Sequence, residues 1–128
     1  MVKKYTVLPT YRRDNGLFVQ DLDTVELPKR FTVKEKSLVY IPPLQIGGNH
    51  KHPRREAFIG LGDGLELVWK DKKGQLHTEK MNVGSNLALF VVEPGVPHAV
   101  RNTSKTQFGV LLEFADDKQH DIEMVELV

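Results

Sequence analysis

The sequence contains no cysteine. This absence excludes a disulfide framework, thiol catalysis, and zinc or iron–sulfur sites that depend on cysteine. No apolar run approaches the length of about 18 residues that a membrane-spanning helix requires. Residues 1–16 hold basic side chains but no apolar stretch of the kind that a signal peptide needs. We therefore expect a cytoplasmic protein with no membrane partner.

The chain also lacks a dominant charge. Eighteen Lys and Arg residues against 17 Asp and Glu leave a net charge of +1 over 128 residues, so no bulk charge points to nucleic acid as a partner. Apolar residues make up 40% of the sequence, which is ordinary for a globular protein. This length is enough for one hydrophobic core and short for two. We expect a single domain that spans residues 1–128.

Short apolar segments run along the whole chain and are separated by turn residues such as those at 14–16, 42–43 and 62–64. No segment sustains the apolar period of a long amphipathic helix over three turns. About ten short strands at intervals of about 8–12 residues predict an all-β sandwich or barrel with little helix. The predicted strands are 5–8, 17–22, 31–33, 37–41, 57–61, 65–70, 76–83, 87–92, 98–102, 108–114 and 122–127.

Two polar stretches, at 47–56 and 94–102, contain the residues that carry chemistry. On a strand, residues i and i+2 point to the same face, so His50 and His52 project together. A bulge or turn after His52 would return the carboxylate of Glu56 to that face. His98 would join them from a strand that is distant in sequence.

Three neutral imidazoles and one carboxylate suit Mn, Fe, Ni, Cu or Zn better than Mg or Ca. A His-x-His pair followed four residues later by Glu arises by chance about 0.01 times in a chain of this composition. We predict a divalent transition metal, with zinc, nickel, manganese and iron all open, held by His50, His52, Glu56 and His98. The alternative is a hydrogen-bonded polar core made of the same four side chains.

These residues resemble the two motifs of the cupins. The first cupin motif, Gly-x5-His-x-His-x3,4-Glu-x6-Gly, is matched by the His-x-His pair and Glu56, and the second, Gly-x5-Pro-x-Gly-x2-His-x3-Asn, by Gly95, His98 and Asn102. Some turn residues depart from the motifs, since Glu93 stands at the proline position of the second. The resemblance covers residues 37–114. It implies a jelly-roll β-barrel with the three His and one Glu binding a divalent metal inside it.

The same stretches are similar to those of cupins in nucleotide-sugar and capsular-polysaccharide biosynthesis. In the related sugar 3,4-ketoisomerases, paired histidines are implicated in proton transfer and no metal is needed. This narrower resemblance implies catalytic roles for His50 and His52.

A polar, barrel-enclosed site with open coordination positions favours a small oxygen-rich substrate. We predict isomerase- or epimerase-type proton transfer on a sugar or related metabolite, in which the metal polarises a carbonyl. Glu56, or a histidine that is free of the metal, would act as the base. Two alternatives stay open: an iron-dependent dioxygenase, and a non-catalytic sugar-binding or sensor domain.

Basic residues flank the motifs, namely Lys51, Arg54, Arg55 and Arg101. We predict a solvated rim, with a cationic mouth for a phosphate or carboxylate substrate as the alternative. His77 and His120 are predicted at the surface.

The strand-rich chain must protect its sheet edges, and its end carries apolar residues at Met124, Val125 and Leu127. The exposed sheet edges and the apolar end both call for a partner surface. We therefore predict a homodimer.

Overall fold

A computed structural model describes residues 1–83 and 86–128, and these ranges are built almost entirely from antiparallel strands. The one helical element in them is a three-residue 3-10 turn, Leu22–Thr24. The all-β prediction is confirmed. The strands are β1 (Val2–Val7), β2 (Tyr11–Arg12), β3 (Phe18–Val19), β4 (Glu35–Ile41), β5 (Ile46–Lys51), β6 (Glu56–Leu61), β7 (Leu65–Lys70), β8 (Leu76–Lys80), β9 (Asn82–Val83), β10 (Asn86–Val92), β11 (His98–Asn102), β12 (Gly109–Ala115) and β13 (Glu123–Met124).

Two large sheets form the jelly-roll-like sandwich. The six-stranded sheet has the order β1-β10-β6-β12-β4, with β9 paired to β10, and the five-stranded sheet has the order β13-β5-β11-β7-β8. Strands that are neighbours in space are therefore often distant in the chain. In the five-stranded sheet His98 on β11 lies directly opposite His50 on β5, so the topology brings the two sequence motifs together.

The core between the sheets is apolar along most of its length. Its buried members come from both sheets and are Ile41, Phe58, Leu65, Leu67, Met81, Ala88, Phe90, Val92, Val100 and Leu111. The charged and imidazole side chains of the two motifs lie at one end of this layer, where they replace apolar residues on the inner faces of the strands.

The outer face of the larger sheet is covered by the segment that precedes β4. Phe31 is 9% exposed and packs in a second cluster with Ala57, Ile59 and Leu89. The predicted strand at 31–33 is wrong, because the amide of Phe31 donates to Pro28 in a turn and its ring fills the sheet surface. The predicted strand at 17–22 is reduced to Phe18–Val19. Apolar periodicity marked these side chains as buried but did not distinguish a strand from a covering segment.

The last residues of the chain cover the outer face of the smaller sheet. Leu127 is 9% exposed and packs against Val68 and Ala99. The prediction that Leu127 needs a partner surface is therefore wrong, since its own sheet buries it, whereas Met124 remains 72% exposed. In the described ranges, no helix has the length and apolar character needed to span a membrane.

Candidate functional site

A bulge in β5 directs His50 into the sandwich. The pairing register between β5 and β11 shifts at this point, so that Asn49 has no opposite residue. Gly48 and Asn49 both have positive φ, 96° and 58°, and a Cβ on Gly48 would lie 3.0 Å from the carbonyl oxygen of His98. Glycine is therefore required for the close strand approach. The bulge places His50 on the inner face of the five-stranded sheet, where His98 also lies.

The four predicted ligands meet at one point. Their ligand atoms all lie within 4.8 Å of one another. Oε1 of Glu56 lies 2.8 Å from Nε2 of His52 and 2.9 Å from Nε2 of His98. His52 follows the end of β5, and the chain then bends so that Glu56 begins β6. The predicted turn between them is confirmed, and the amide of Gly95 donates to the carbonyl of His52 and ties the two motifs together.

The proton positions of His98 follow from its hydrogen bonds. Nδ1 lies 2.8 Å from the carbonyl oxygen of Val96, and because a carbonyl only accepts, Nδ1 carries the proton. In the neutral ring, Nε2 then has no proton and carries a lone pair. This atom is buried and has no hydrogen-bond partner in the described protein, although Oε1 of Glu56 is 2.9 Å away. Two lone pairs this close repel each other unless a proton or a cation lies with them.

His52 is held differently. Its Nε2 donates to Oε1 of Glu56, and its buried Nδ1 has no hydrogen-bond partner in the described ranges. If Nε2 of His52 bound a metal, the proton would move to Nδ1, where no protein acceptor meets it. His98 therefore has the backbone support that is usual for a ligating histidine, and His52 lacks it.

Arg54 fixes the other side of Glu56. Its Nε and Nη2 lie 3.2 and 2.8 Å from Oε2 of Glu56, and Nη2 also donates to Glu113 at 2.8 Å. Nη1 donates to Glu35 and to the carbonyl of Asp117. Only 3% of the side chain is exposed, so the predicted solvated rim is wrong for this residue.

The three carboxyl groups around Arg54 have different proton affinities. Burial alone would raise the pKa of Glu56, but the hydrogen bond from His52 and the proximity of His98 outweigh it and hold the pKa well below its usual range. Burial, together with the neighbouring Glu56, raises the pKa of Glu113 to about 9. Glu56 is thus a carboxylate at neutral pH, and Glu113 carries a proton.

His50 borders the cavity and is only half-buried. Burial, and then the positive charge that His98 and His52 can carry, lower its pKa to about 4. Its ring is therefore neutral at pH 7, with a lone pair for a metal or for a substrate proton. The ring centroids of His50 and His98 are 5.0 Å apart.

A cavity of about 290 Å³ opens beside this cluster. His50, Glu56 and His98 are among its lining residues, and Phe58, Val100 and Leu111 contribute apolar surface. Glu35, Ser37, Glu113 and Gln119 add polar groups. A small molecule in this cavity can therefore contact His50, Glu56 and His98 directly.

The other polar residues considered in the sequence lie partly at the surface and partly in the interior. His77 and His120 lie at the surface, with side chains 42% and 44% exposed, as predicted. Asn102 is buried and holds the loop at 103–107 through its amide. Gly84, which lies too far upstream to fit the second motif, is outside the described residues.

Sequence reasoning missed Glu113, Glu35 and the role of Arg54. Glu113 is the one charged residue in the apolar strand Gly109–Ala115, and a lone charge at an inward position of such a strand indicates a buried partner. That signal was available. Nothing local distinguishes Arg54 from Arg55, because only the bend after His52 decides which of the two side chains enters the sandwich.

No protein-family model matches the sequence, and no curated protein matches it. Solved structures do match. A dTDP sugar isomerase from Desulfovibrio desulfuricans G20 superposes with a TM-score of 0.70 at 16% identity, over 98% of this chain and 83% of that one. A mutant of the 3,4-ketoisomerase QdtA from Thermoanaerobacterium thermosaccharolyticum, solved with TDP-4-keto-6-deoxyglucose, gives 0.69 at 15% identity, over 94% and 83%.

The capsular polysaccharide assembling protein CapF from Staphylococcus aureus matches with a TM-score of 0.64 at 18% identity. The match covers 73% of this chain but 28% of CapF, so the chain spans little more than a quarter of that protein's length. At such identities these likenesses establish the fold. The predicted fold class is confirmed, and membership of the cupin superfamily stays a prediction.

Proposed function

We propose that this chain is a sugar isomerase or epimerase that moves a proton next to a carbonyl group. The observation that supports it most is the convergence of His50, His52, His98 and Glu56 within 4.8 Å, three of which line a cavity of about 290 Å³. The structural likeness to sugar 3,4-ketoisomerases favours the same class of reaction. Metal-assisted and metal-free proton transfer both need groups of these types at such a site.

These four residues fit a divalent transition metal, and we propose that they hold one. The three nitrogens and one carboxylate suit zinc, nickel, manganese or iron. The buried lone pair of His98 Nε2, which faces a carboxylate oxygen without a hydrogen bond, supports a cation at this point. A bound ion would polarise a substrate carbonyl and so acidify the neighbouring C–H bond.

The side chains then have separate tasks. Arg54 orients Glu56 by holding Oε2, so that Oε1 faces the histidines. His50, which borders the cavity, and Glu56 are the candidate bases, and His52 is the candidate for passing a proton on, because one of its ring nitrogens has no fixed partner. The apolar wall formed by Phe58 and Leu111 limits the access of water.

Hydrogen exchange tests the proposed reaction. Metal-reconstituted protein in D₂O should introduce deuterium next to the carbonyl of a keto sugar, as read by NMR or mass spectrometry. The Glu56→Gln variant should lose this exchange, and the surface variant His77→Ala should keep it. Binding of keto sugars with neither exchange nor O₂ uptake would contradict the enzyme and favour the binding domain. Consumption of O₂ by the iron form would favour the dioxygenase.

Elemental analysis tests the metal. Wild-type protein should hold about one divalent ion per chain after reconstitution, and the double variant His50→Ala/His98→Ala should not. Absence of metal from the reconstituted wild type would contradict the metal site and leave the metal-free reaction, in which His50 and His52 transfer the proton.

We also propose that the chain forms a homodimer through the free edge of β4. Among the described residues this strand pairs only with β12, and its outward residues Leu38 and Tyr40 are 68% and 56% exposed. Phe108 stacks on Tyr40 at 4.5 Å and extends the apolar surface. Light scattering should give a dimer for the wild type and for Leu76→Lys on β8, and a monomer for Leu38→Lys. A monomeric wild type at micromolar concentration would disprove the proposal.

A further inference from the structure

The basic residues near the two motifs are all engaged by acids. Arg54, the one Arg or Lys among the described residues that line the cavity, is shared by Glu56, Glu113 and Glu35. Each of the others pairs with its own carboxylate outside the cavity: Lys51 with Glu123, Arg55 with Asp116, and Arg101 with Glu66. The cationic mouth considered from the sequence is therefore not present in the described ranges.

Apart from Arg54 and the histidines, the polar side chains that line the cavity are either acidic or uncharged. Glu35 and Glu113 stand there on adjacent strands, and a carboxyl group supplies no positive charge in either protonation state. Ser37 and Gln119 also line the cavity. These four side chains offer hydrogen-bond acceptors and uncharged donors, which suit the hydroxyl groups of a sugar.

A phosphate group needs a different surface. Apart from a bound metal ion, proteins bind phosphate and diphosphate through free Arg or Lys side chains, or through backbone amides at the beginning of a helix. The described ranges contain no α-helix that could supply such amides, and no lysine lines the cavity. Lys34 and Lys118, which flank the strands and loop near Asp117, are exposed and outside the lining.

The size of the cavity points the same way. Its volume of about 290 Å³ lies just below the roughly 300–1,000 Å³ typical of small-molecule pockets. A nucleotide joined to a sugar would need more room than this volume gives. The polar groups that such a molecule would meet in the lining include the carboxyl groups of Glu35 and Glu113 and the amide of Gln119.

From these observations we infer that the site takes a free, unphosphorylated sugar or a similar neutral carbonyl compound and discriminates against phosphorylated and nucleotide-linked forms. The inference rests on the proposed sugar function. It separates this chain from the QdtA structures, one of which was solved with TDP-4-keto-6-deoxyglucose and another with TDP.

Calorimetry on the chelator-treated, metal-free protein tests this inference with free ketopentoses and ketohexoses, D-fructose 6-phosphate, inorganic phosphate and dTDP as probes, so that a bound ion does not itself attract phosphate. At least one free ketose should bind about tenfold or more tightly than D-fructose 6-phosphate, since one unscreened like-charge contact is worth that much. dTDP should leave the His50 and His98 ring signals unchanged in NMR spectra. Saturable binding of dTDP at these rings, equal or tighter binding of the phosphate ester, or failure of every free ketose to bind would each overturn the inference.

A charge variant makes the test specific. Glu35→Gln removes a carboxylate from the cavity wall and releases one partner of Arg54. It should raise the affinity for D-fructose 6-phosphate relative to free D-fructose by about tenfold. The matched variant Glu79→Gln alters a surface carboxylate that pairs with Lys4 and should leave the ratio unchanged. An unchanged ratio in Glu35→Gln would contradict the role given to the acidic wall.

Failure of the inference can be told apart from failure of the proposed function. Faster deuterium exchange into TDP-4-keto-6-deoxyglucose than into any free ketose would overturn the inference and leave the isomerase proposal standing. Binding of free ketoses without exchange into any sugar would overturn the isomerase proposal and leave the inference standing.

Discussion

The molecule contains two kinds of histidine–carboxylate contact that are almost identical in distance and opposite in surroundings. His52 and His98 lie 2.8 and 2.9 Å from Glu56, with all three side chains at most 4% exposed. His77 lies 2.8 Å from Asp71 and His120 lies 3.1 Å from Asp117 and Asp121, with the rings 42% and 44% exposed. Distance alone therefore does not distinguish the buried contacts from the exposed ones.

Water makes the difference. An exposed pair exchanges one set of hydrogen bonds for another and contributes about 0–1 kcal/mol. A buried carboxylate must be satisfied completely by the protein, and Glu56 is reached by two histidines and an arginine. The buried cluster is therefore where metal binding and proton transfer become possible, because water does not compete for the same atoms.

A buried and an exposed arginine differ in the same way. Replacing the buried one should have the largest effect on the free energy of unfolding. Replacing Arg54 with Met leaves Glu56, Glu35 and Glu113 without their shared cation, and removal of one partner from a buried ion pair costs about 3–5 kcal/mol. Arg101 is the matched control, because it makes one 2.8 Å contact to Glu66 with its side chain 36% exposed. Arg101→Met should cost about 0–1 kcal/mol. Urea unfolding of both variants measures the difference, and equal losses would contradict the distinction between buried and exposed pairs.

Metal binding gives the next largest effect. Zinc at 100 times its Kd should stabilise the wild type by about 2.7 kcal/mol, provided that the unfolded chain does not bind it. His98→Ala removes the proposed ligand whose Nδ1 is fixed by the carbonyl of Val96, and it should abolish this gain in stability. His77→Ala and His120→Ala remove surface rings and should keep it. Thermal unfolding with and without zinc provides the measurement, and a full zinc-dependent gain in His98→Ala would show that the ion binds elsewhere.

The sequence predicted the fold class and the four cluster residues because both depend on local patterns. Alternating apolar segments specify strands, and the spacing of His50, His52 and Glu56 survives folding as a strand end, a bend and a strand start. Phe31 shows where such patterns fail. Its apolar neighbours suggested a strand, but the segment only covers a sheet that is already complete.

The contacts of Arg54 could not be predicted, for a different reason. Its partners Glu35 and Glu113 are 19 and 59 residues away in the chain, and they meet it only because β4, β12 and β6 are adjacent in the six-stranded sheet. Strand order depends on the total fit of the core, which no local spacing records. The substrate class depends on the same contacts, since they decide whether the cavity holds a free positive charge.

Within the buried cluster, the two glutamate-bound histidines should differ by a smaller amount. Nδ1 of His98 donates to Val96, whereas Nδ1 of His52 has no partner in the described ranges. Backbone and carboxylate partners of ligating histidines change metal affinity by about 10- to 100-fold. His98→Ala should therefore weaken zinc binding at least about tenfold more than His52→Ala. Competition with a chromophoric chelator measures both, and a greater loss in His52→Ala would reverse the assignment.

The smallest expected effect is a pair of opposite pH dependences in the metal-free protein. Burial, followed by His98 and His52, lowers the pKa of His50 from 6.5 to about 4, so the unfolded chain takes up this proton first and stability falls as the pH drops from 6.5 through 4. Hydrogen bonds to Asp121 and Asp117 raise the pKa of His120 above 6.5. Its contribution is therefore complete below 6.5 and is lost as the pH rises through the raised value.

Urea midpoints of the chelator-treated protein at about pH 5 and about pH 7 separate the two histidines. His50→Gln removes the group that favours the unfolded chain in acid, so its midpoint should fall less than that of the wild type on going to pH 5. His120→Gln removes the group that favours the folded chain in acid, so its midpoint should fall slightly more. Because the two changes have opposite signs, a general effect of substitution on stability does not imitate them. If both variants changed the pH dependence of the midpoint in the same direction, the half-buried ring of His50 and the exposed ring of His120 would not differ in their surroundings as described.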